Sequence, residues 1–169
     1  LFLKSRDLSF AQACSIPVTL FTAHYALHYL AHLRAGEKVL IQTAAGGVGL
    51  FAVRLAQLVG AEVYATVGSP EKEQYLRGKG VKNIINYSKF DFENEILKMT
   101  KGYGVDVVLN TLSGDAVQKG INILAPNGRY VELAMFAQKQ FKAIDFSKKT
   151  DNQSFLSLDL RRLMDKDRK

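Results

Sequence analysis

Three residues, Ala44, Gly46 and Gly49, stand in the run Ile41-Gln42-Thr43-Ala44-Ala45-Gly46-Gly47-Val48-Gly49-Leu50. Their types and spacing suit them to hold phosphate. Ala44 is small enough for a tight turn. Gly46 lacks the Cβ that would keep the backbone away from a pyrophosphate, and Gly49 lets a following helix pack close to the preceding strand. Phosphates would meet free N–H groups at the positive end of that helix. The candidate cofactor-binding residues of this stretch are therefore Ala44, Ala45, Gly46, Gly47, Val48 and Gly49. A glycine pattern alone is weak, because every turn needs glycine, and its context decides. Here an apolar run at 38–41 precedes it, and Val48, Ala52, Leu55, Ala56 and Val59 recur after it at helical spacing. Strand, glycine turn and helix follow one another as a dinucleotide site requires.

A second cluster lies at Gly68-Ser69-Pro70-Glu71-Lys72. Roughly 20 residues beyond the turn, an NAD site carries an acidic residue for the ribose diol. Gly68 and Ser69 stand there instead, with Lys72 one turn into the next helix, which suits a 2′-phosphate and hence NADP(H). Glu71 is awkward for this reading, though it can point outward; the alternative is that Ser69 only caps the helix and Lys72 is solvated. Tyr87 follows the third strand, within reach of the same phosphate or of the adenine. Asn110-Thr111-Leu112-Ser113-Gly114 makes a polar loop where the nicotinamide half would pass, and Leu133 ends the fifth strand. Asn110, Leu112 and Leu133 complete the candidate contacts.

The elements that must position these residues alternate. Strands are expected at 38–43, 62–67, 83–86, 105–109 and 128–133, and helices at 47–59, 70–79, 90–100 and 115–124. The 105–109 segment, Val-Asp-Val-Val-Leu, reads as a strand buried on both faces. The expected fold is α/β, a Rossmann-type doubly wound parallel β-sheet in three α-β-α layers. Its ligand crevice lies at the carboxyl ends of the strands. Residues 1–36 form a helical lead-in to the nucleotide-binding domain at 37–169. Ser9 caps a short helix, and Pro17 opens a longer one over 18–33 that stops at Ala35-Gly36. His24, His28 and His32, four apart, share one face of that helix, read as a polar outer face rather than a metal site. After an irregular, lysine-rich stretch at 136–152, a sixth strand is expected at 154–158 and a last helix at 159–169.

Composition narrows the function classes. The chain of 169 residues is 47% hydrophobic and 23% charged, as a globular domain should be. No apolar run approaches the roughly 20 residues of a membrane span, and no signal peptide is visible. Cys14 is the only cysteine, which excludes a disulfide framework and fits a reducing cytoplasmic setting. The net charge of +7 gathers partly in Lys139, Lys142, Lys148 and Lys149 and partly in the basic tail. Without aromatics interleaved among the cations, this reads as solvated surface rather than a nucleic-acid interface.

Five stretches together carry a resemblance: Pro17-Val18-Thr19 with Thr22-Ala23; Ala44-Ala45-Gly46-Gly47-Val48-Gly49; Gly68-Ser69-Pro70-Glu71-Lys72; Gly104-Val105-Asp106-Val107-Val108-Leu109-Asn110-Thr111-Leu112; and Gly128-Arg129-Tyr130-Val131-Glu132-Leu133. The chain resembles the nucleotide-binding half of the medium-chain dehydrogenase/reductase superfamily. Within it, the chain is similar to the enoyl reductase domains of polyketide synthases and animal-type fatty acid synthases. The resemblance implies NADPH hydride delivery to the α,β-double bond of an acyl thioester. The thioester would come from an acyl carrier domain, with other synthase domains as partners and a homodimer as an allowed assembly. It places Thr22 near the nicotinamide and pyrophosphate, and Ser69, Lys72 and Tyr87 near the 2′-phosphate. It also implies a preceding barrel-like domain, expected to lie outside these 169 residues because only 1–36 precede the first strand. The synthase enzymes usually follow the fifth strand's Glu with a Gly-Lys pair whose lysine is implicated in protonation, where this chain has Ala134-Met135. Met135 stands in that region here and cannot donate a proton. The family's partner aspartate has a counterpart in Asp159, which could equally cap the last helix. Other readings are a free-standing quinone or enone reductase and a non-catalytic NADP-binding scaffold domain.

Overall fold

The structure, a computed structural model, describes residues 3–133, 144–147 and 151–166. Val39-Leu40-Ile41 has no polar alternation and folds as β1 (Lys38–Ile41), buried from Val39 onward. It is followed by β2 (Glu62–Val67), β3 (Asn83–Asn86), β4 (Val105–Asn110), β5 (Leu124–Glu132) and β6 (Ser154–Ser157). Every pairing is parallel, in the order β3-β2-β1-β4-β5-β6. The winding reverses between β1 and β4, which makes the carboxyl ends of these two strands the switch point. This is the Rossmann-type α/β sheet expected from the sequence.

Successive strand residues face opposite layers. Ile41, Leu109 and Val131 pack with Ala23, Leu27, Ala52, Ala56 and Leu76, so α2 (Pro17–His24), α3 (Gly47–Val59) and α4 (Pro70–Gly78) cover one face. Leu40, Tyr64, Val108 and Tyr130 pack with Phe92, Ile96, Val117 and Ile121, which puts α5 (Phe92–Met99) and α6 (Asp115–Asn122) on the other. α3 buries Gly49, Ala52, Val53 and Ala56, an i, i+3, i+4, i+7 stripe of mostly small residues that brings its axis close to the sheet. It stops at Gly60, whose φ of 84° suits glycine. The chain opens with α1 (Phe10–Ser15), where Ser9 and Gln12 form a reciprocal capping box, and closes with α7 (Leu160–Lys166).

Two expectations need correction. The helix over 18–33 is not continuous: α2 ends at His24, and Tyr25–Leu30 winds as a π-helical turn. The Ala31 N–H bonds Ala26 O, five residues back, and this wider turn buries Ala26, Leu27 and Ala31 together. The His24 and His28 ring centroids lie 4.6 Å apart with their planes tilted by 40°, while His32 leaves the helix at φ 46°. The fifth strand also begins earlier than 128. Leu124 pairs with Val105, the chain bends at Asn127 with φ 61°, and pairing resumes in a shifted register at Arg129–Val107. The turn at Pro126-Asn127 is thus a bulge within the strand rather than its boundary. Met135 and most of the lysine-rich stretch lie outside the described residues.

Candidate functional site

The glycine turn sits where β1 ends at the switch point. Thr43 adopts φ 48°, costly for a β-branched residue. Its neighbours hold it there. The Thr43 N–H donates to Thr66 Oγ1 (3.2 Å), the Ala44 N–H to Thr66 O (3.0 Å) and the Gly46 N–H back to Thr43 O (2.9 Å). The hydroxyls of Thr43 and Thr111 lie 2.6 Å apart, which ties this turn to the loop after β4. Gly49 is required by packing: a Cβ there would come within 2.7 Å of the Ala44 backbone. At Gly47 a Cβ would press to 3.0 Å on the Thr19 methyl of α2. At Gly46, which is exposed, a Cβ would approach only Thr43 O, at 3.3 Å. Gly46 is the N-cap of α3 and no side chain caps that helix, so its first-turn N–H groups open toward the crevice. Ala44 is buried and Ala45 and Val48 half-buried against the core, as a tight turn over a packed helix demands.

At the end of β2, Gly68 is constrained by a side chain. A Cβ there would lie 2.7 Å from the Tyr87 hydroxyl, so Tyr87 rests over this backbone, and the Ser88 hydroxyl donates to Gly68 O at 2.9 Å. Ser69 caps α4, its Oγ accepting from the Lys72 N–H at 3.4 Å. A hydrogen bond from the Ser69 hydroxyl, with the Glu71 backbone N–H second, holds the Glu71 carboxyl below its ordinary value. Glu71 is thus close enough to Ser69 to feel its hydroxyl. The cluster carries both a cation and an anion. Tyr87, Phe92 and Leu112 line one hollow of about 410 Å³ between the loops after β3 and β4. The structure so brings Leu112 beside Tyr87, an association the sequence did not show.

The other strand ends hold buried polar side chains. Asn110 and Glu132 are both 0% exposed. Asn110 Nδ2 donates to Glu132 Oε2 (2.7 Å) and to Leu112 O (2.8 Å), while its Oδ1 accepts the Leu112 N–H (3.1 Å). The Tyr130 hydroxyl donates to the same Glu132 oxygen at 3.4 Å, and burial followed by the Glu132 charge pushes its pKa far up. On the neighbouring strands Thr66 donates to Gln42 Oε1 at 2.7 Å. Leu133 joins β4 through its N–H to Asn110 O. Gln42 and Thr66 were not singled out in the sequence, and Thr111 and Glu132 were named only as parts of the loop after the fourth strand and the end of the fifth. Their signal was there, as polar residues ending otherwise apolar strands.

Two candidates are engaged locally. Thr22 Oγ1 donates to Val18 O at 2.7 Å within α2. Asp159 Oδ1 accepts the N–H groups of Arg161 (3.1 Å) and Arg162 (3.4 Å), so Asp159 caps α7.

With this geometry in view, known proteins can be compared. The zinc-binding dehydrogenase family profile matches residues 47–161. The chain belongs to that family. Within it, the chain stands among the nucleotide-binding parts of polyketide synthase enoyl reductases, in the medium-chain dehydrogenase/reductase superfamily. The nucleotide-binding subdomain of the enoylreductase domain of PpsC from Mycobacterium tuberculosis is 40% identical, with a TM-score of 0.83 over 88% of this chain and 83% of that one. The CurK enoyl reductase is 40% identical with a TM-score of 0.88, over 98% of this chain and 49% of that one. Among curated relatives, a phenolphthiocerol/phthiocerol polyketide synthase component of Mycobacterium tuberculosis is 47% identical over 122 residues. The highly reducing polyketide synthase azaB of Aspergillus niger is 44% identical over 158 residues. The chain covers 72% and 92% of its own length in these two matches, and 6% of each relative's length. The zinc-binding dehydrogenase fold here therefore corresponds to one part of much longer synthases. Among the described residues no helix is long and apolar enough to cross a membrane. Nor does any group of three or more His, Cys, Asp or Glu among them form a metal cluster.

Proposed function

We propose that the chain is the NADPH-binding part of an enoyl reductase that reduces the α,β-double bond of an acyl thioester during polyketide or fatty acid assembly. One observation carries it: Gly49 lies against the Ala44 backbone while exposed Gly46 opens the uncapped start of α3 to a ligand. That arrangement fits a pyrophosphate, which needs close backbone approach and donors at a helix N-terminus.

The remaining positions supply the ends of the dinucleotide. The hollow between Tyr87 and Leu112, which Asp91, Asp115 and Lys119 also line, suits the adenine, with an apolar side for its ring face and polar groups for its edge. Lys72 and the N-terminus of α4, with no acid at Gly68, favour a 2′-phosphate and so NADP(H) over NAD. Glu71 works against it, and NADPH preference then depends on Lys72 outweighing that carboxylate. The nicotinamide half would lie along the ends of β4 and β5, near Leu133, with Thr22 facing it from α2. The cofactor, once bound, supplies the hydride. The chain's part is to hold it in place and to tune the electrostatics around it.

The substrate side needs more than these residues. The thioester would be presented by an acyl carrier domain, with other synthase domains alongside and a barrel-like domain forming the facing wall. Without that wall the reacting atoms are not held about 3–3.5 Å apart, which can account for several kcal/mol of barrier. Met135 offers no proton, so the proton for Cα must come from water, from a group supported by Asp159, or from the other domain.

The test is a thioester-dependent NADPH oxidation assay on this chain alone and on the chain joined to its upstream sequence. Slow or no turnover alone and turnover in the joined protein are expected. Reduction of quinones but not thioesters would favour a free-standing reductase. NADPH binding with no turnover in either form would favour a scaffold domain.

A further inference from the structure

We propose that Glu132 is a positioning residue for the adenosine side of the crevice, acting across the sheet through Asn110 on Leu112. The inference rests on the dinucleotide reading above and names a residue that reading leaves without a role.

Sheet register places the residues. Asn110 and Glu132 are partners at the carboxyl ends of β4 and β5. Their side chains point into the same layer as Val108 and Tyr130, two residues earlier in each strand. A fully buried carboxylate is costly unless hydrogen-bonded. Glu132 accepts from Asn110 Nδ2 at 2.7 Å and from Tyr130 at 3.4 Å. This fixes the orientation of the Asn110 amide, because only its nitrogen can face the carboxylate. The orientation has a consequence at the far end. With Nδ2 toward Glu132, the same nitrogen reaches Leu112 O at 2.8 Å and Oδ1 meets the Leu112 N–H at 3.1 Å. A flipped amide would present oxygen to both a carboxylate and a carbonyl. Glu132 therefore reinforces the one amide orientation that clamps both backbone groups of Leu112.

Leu112 lines the hollow shared with Tyr87. The loop carrying it is also held at Thr111, whose hydroxyl lies 2.6 Å from that of Thr43 in the glycine turn. Loosening Leu112 should widen the hollow while the turn keeps its own bonds through Thr66. The effect should thus fall on the adenosine end and not on the phosphate cradle.

The experiment compares the wild-type chain with Glu132→Gln, a substitution of equal size that removes the charge. Amide hydrogen exchange by NMR reads Leu112 directly. Calorimetric titration with NADPH and with adenosine 2′,5′-bisphosphate reads the hollow, well below the melting temperature of either protein. Faster exchange at Leu112 is expected with exchange at Val107 and Val108 unchanged. Both ligands should bind roughly three- to tenfold more weakly, by a common factor. Should Glu132→Gln fail to fold, Asn110→Ser is measured in its place with the same expectations. Unchanged exchange at Leu112 would overturn the inference. So would faster exchange with unchanged affinity, or a loss confined to NADPH. A wild-type chain that binds neither ligand would overturn the dinucleotide reading and the inference with it.

Discussion

The two halves of the crevice are built on different principles. On the β1–β2 side, close approach is obtained by leaving atoms out. Gly49 and Ala44 touch backbone to backbone, and Gly68 makes room for the Tyr87 hydroxyl. On the β4–β5 side, loop geometry is obtained by putting polar atoms in. Asn110 and Glu132, wholly buried, hold Leu112 through side-chain hydrogen bonds. At Gly49 the first kind of site has no room for an added methyl group. The second tolerates size changes better than the loss of one hydrogen-bonding partner.

The comparison breaks most severely at Gly49. Gly49→Val would place its side chain against the Ala44 backbone, which cannot move aside as a side chain can. A loss of about 3 kcal/mol or more in urea unfolding is expected. Asn110→Leu should come next. It removes the clamp on Leu112 and strips a buried carboxylate of a 2.7 Å partner, so a loss of about 2–4 kcal/mol is expected by the same measurement. A Gly49 variant as stable as wild type, or a neutral Asn110→Leu, would erase the distinction between the two halves.

How far the sequence was legible follows the same division. The glycine spacing, the apolar strands and the breaks between them give the sheet, its parallel pairing and the turn, because each is a local or periodic property. Ser9 and Pro17 correctly opened their helices. The π-turn at Tyr25–Leu30 was not legible, since the burial of Ala26 and Ala31 that accompanies it is a tertiary property. The Asn110–Glu132 pair was missed because it joins residues 22 positions apart, and a polar residue ending an apolar strand does not show which partner it meets. Asp159 was read with two roles, and the hydrogen bonds at the start of α7 show that it caps. Glu71 was read as awkward for a 2′-phosphate though able to point outward, and its lowered pKa shows the influence of the Ser69 hydroxyl, which the sequence did not show.

Smaller effects sharpen the comparison. Lys72→Ala should reduce the preference for NADPH over NADH, while Glu71→Gln should raise it, each by roughly two- to fivefold at low ionic strength. Calorimetry with both dinucleotides measures this, and a Glu71→Gln protein with an unaltered ratio would show that the carboxylate does not face the 2′-position. The smallest change is expected at Asp159→Ala, with a loss of about 1 kcal/mol in thermal unfolding and no change in NADPH affinity. Weaker NADPH binding in that variant would tie the start of α7 to the cofactor.

The central claim is that a dinucleotide lies with its pyrophosphate on the start of α3. Calorimetric titration of NADPH into the wild-type chain and Gly46→Val tests it most directly. A valine there meets only Thr43 O and open solvent, so the protein should stay folded. Its branched side chain would stand where the pyrophosphate must approach. Binding by the wild type and none by the folded variant is the expected result. Equal NADPH affinity in the two proteins would contradict it and put the ligand elsewhere.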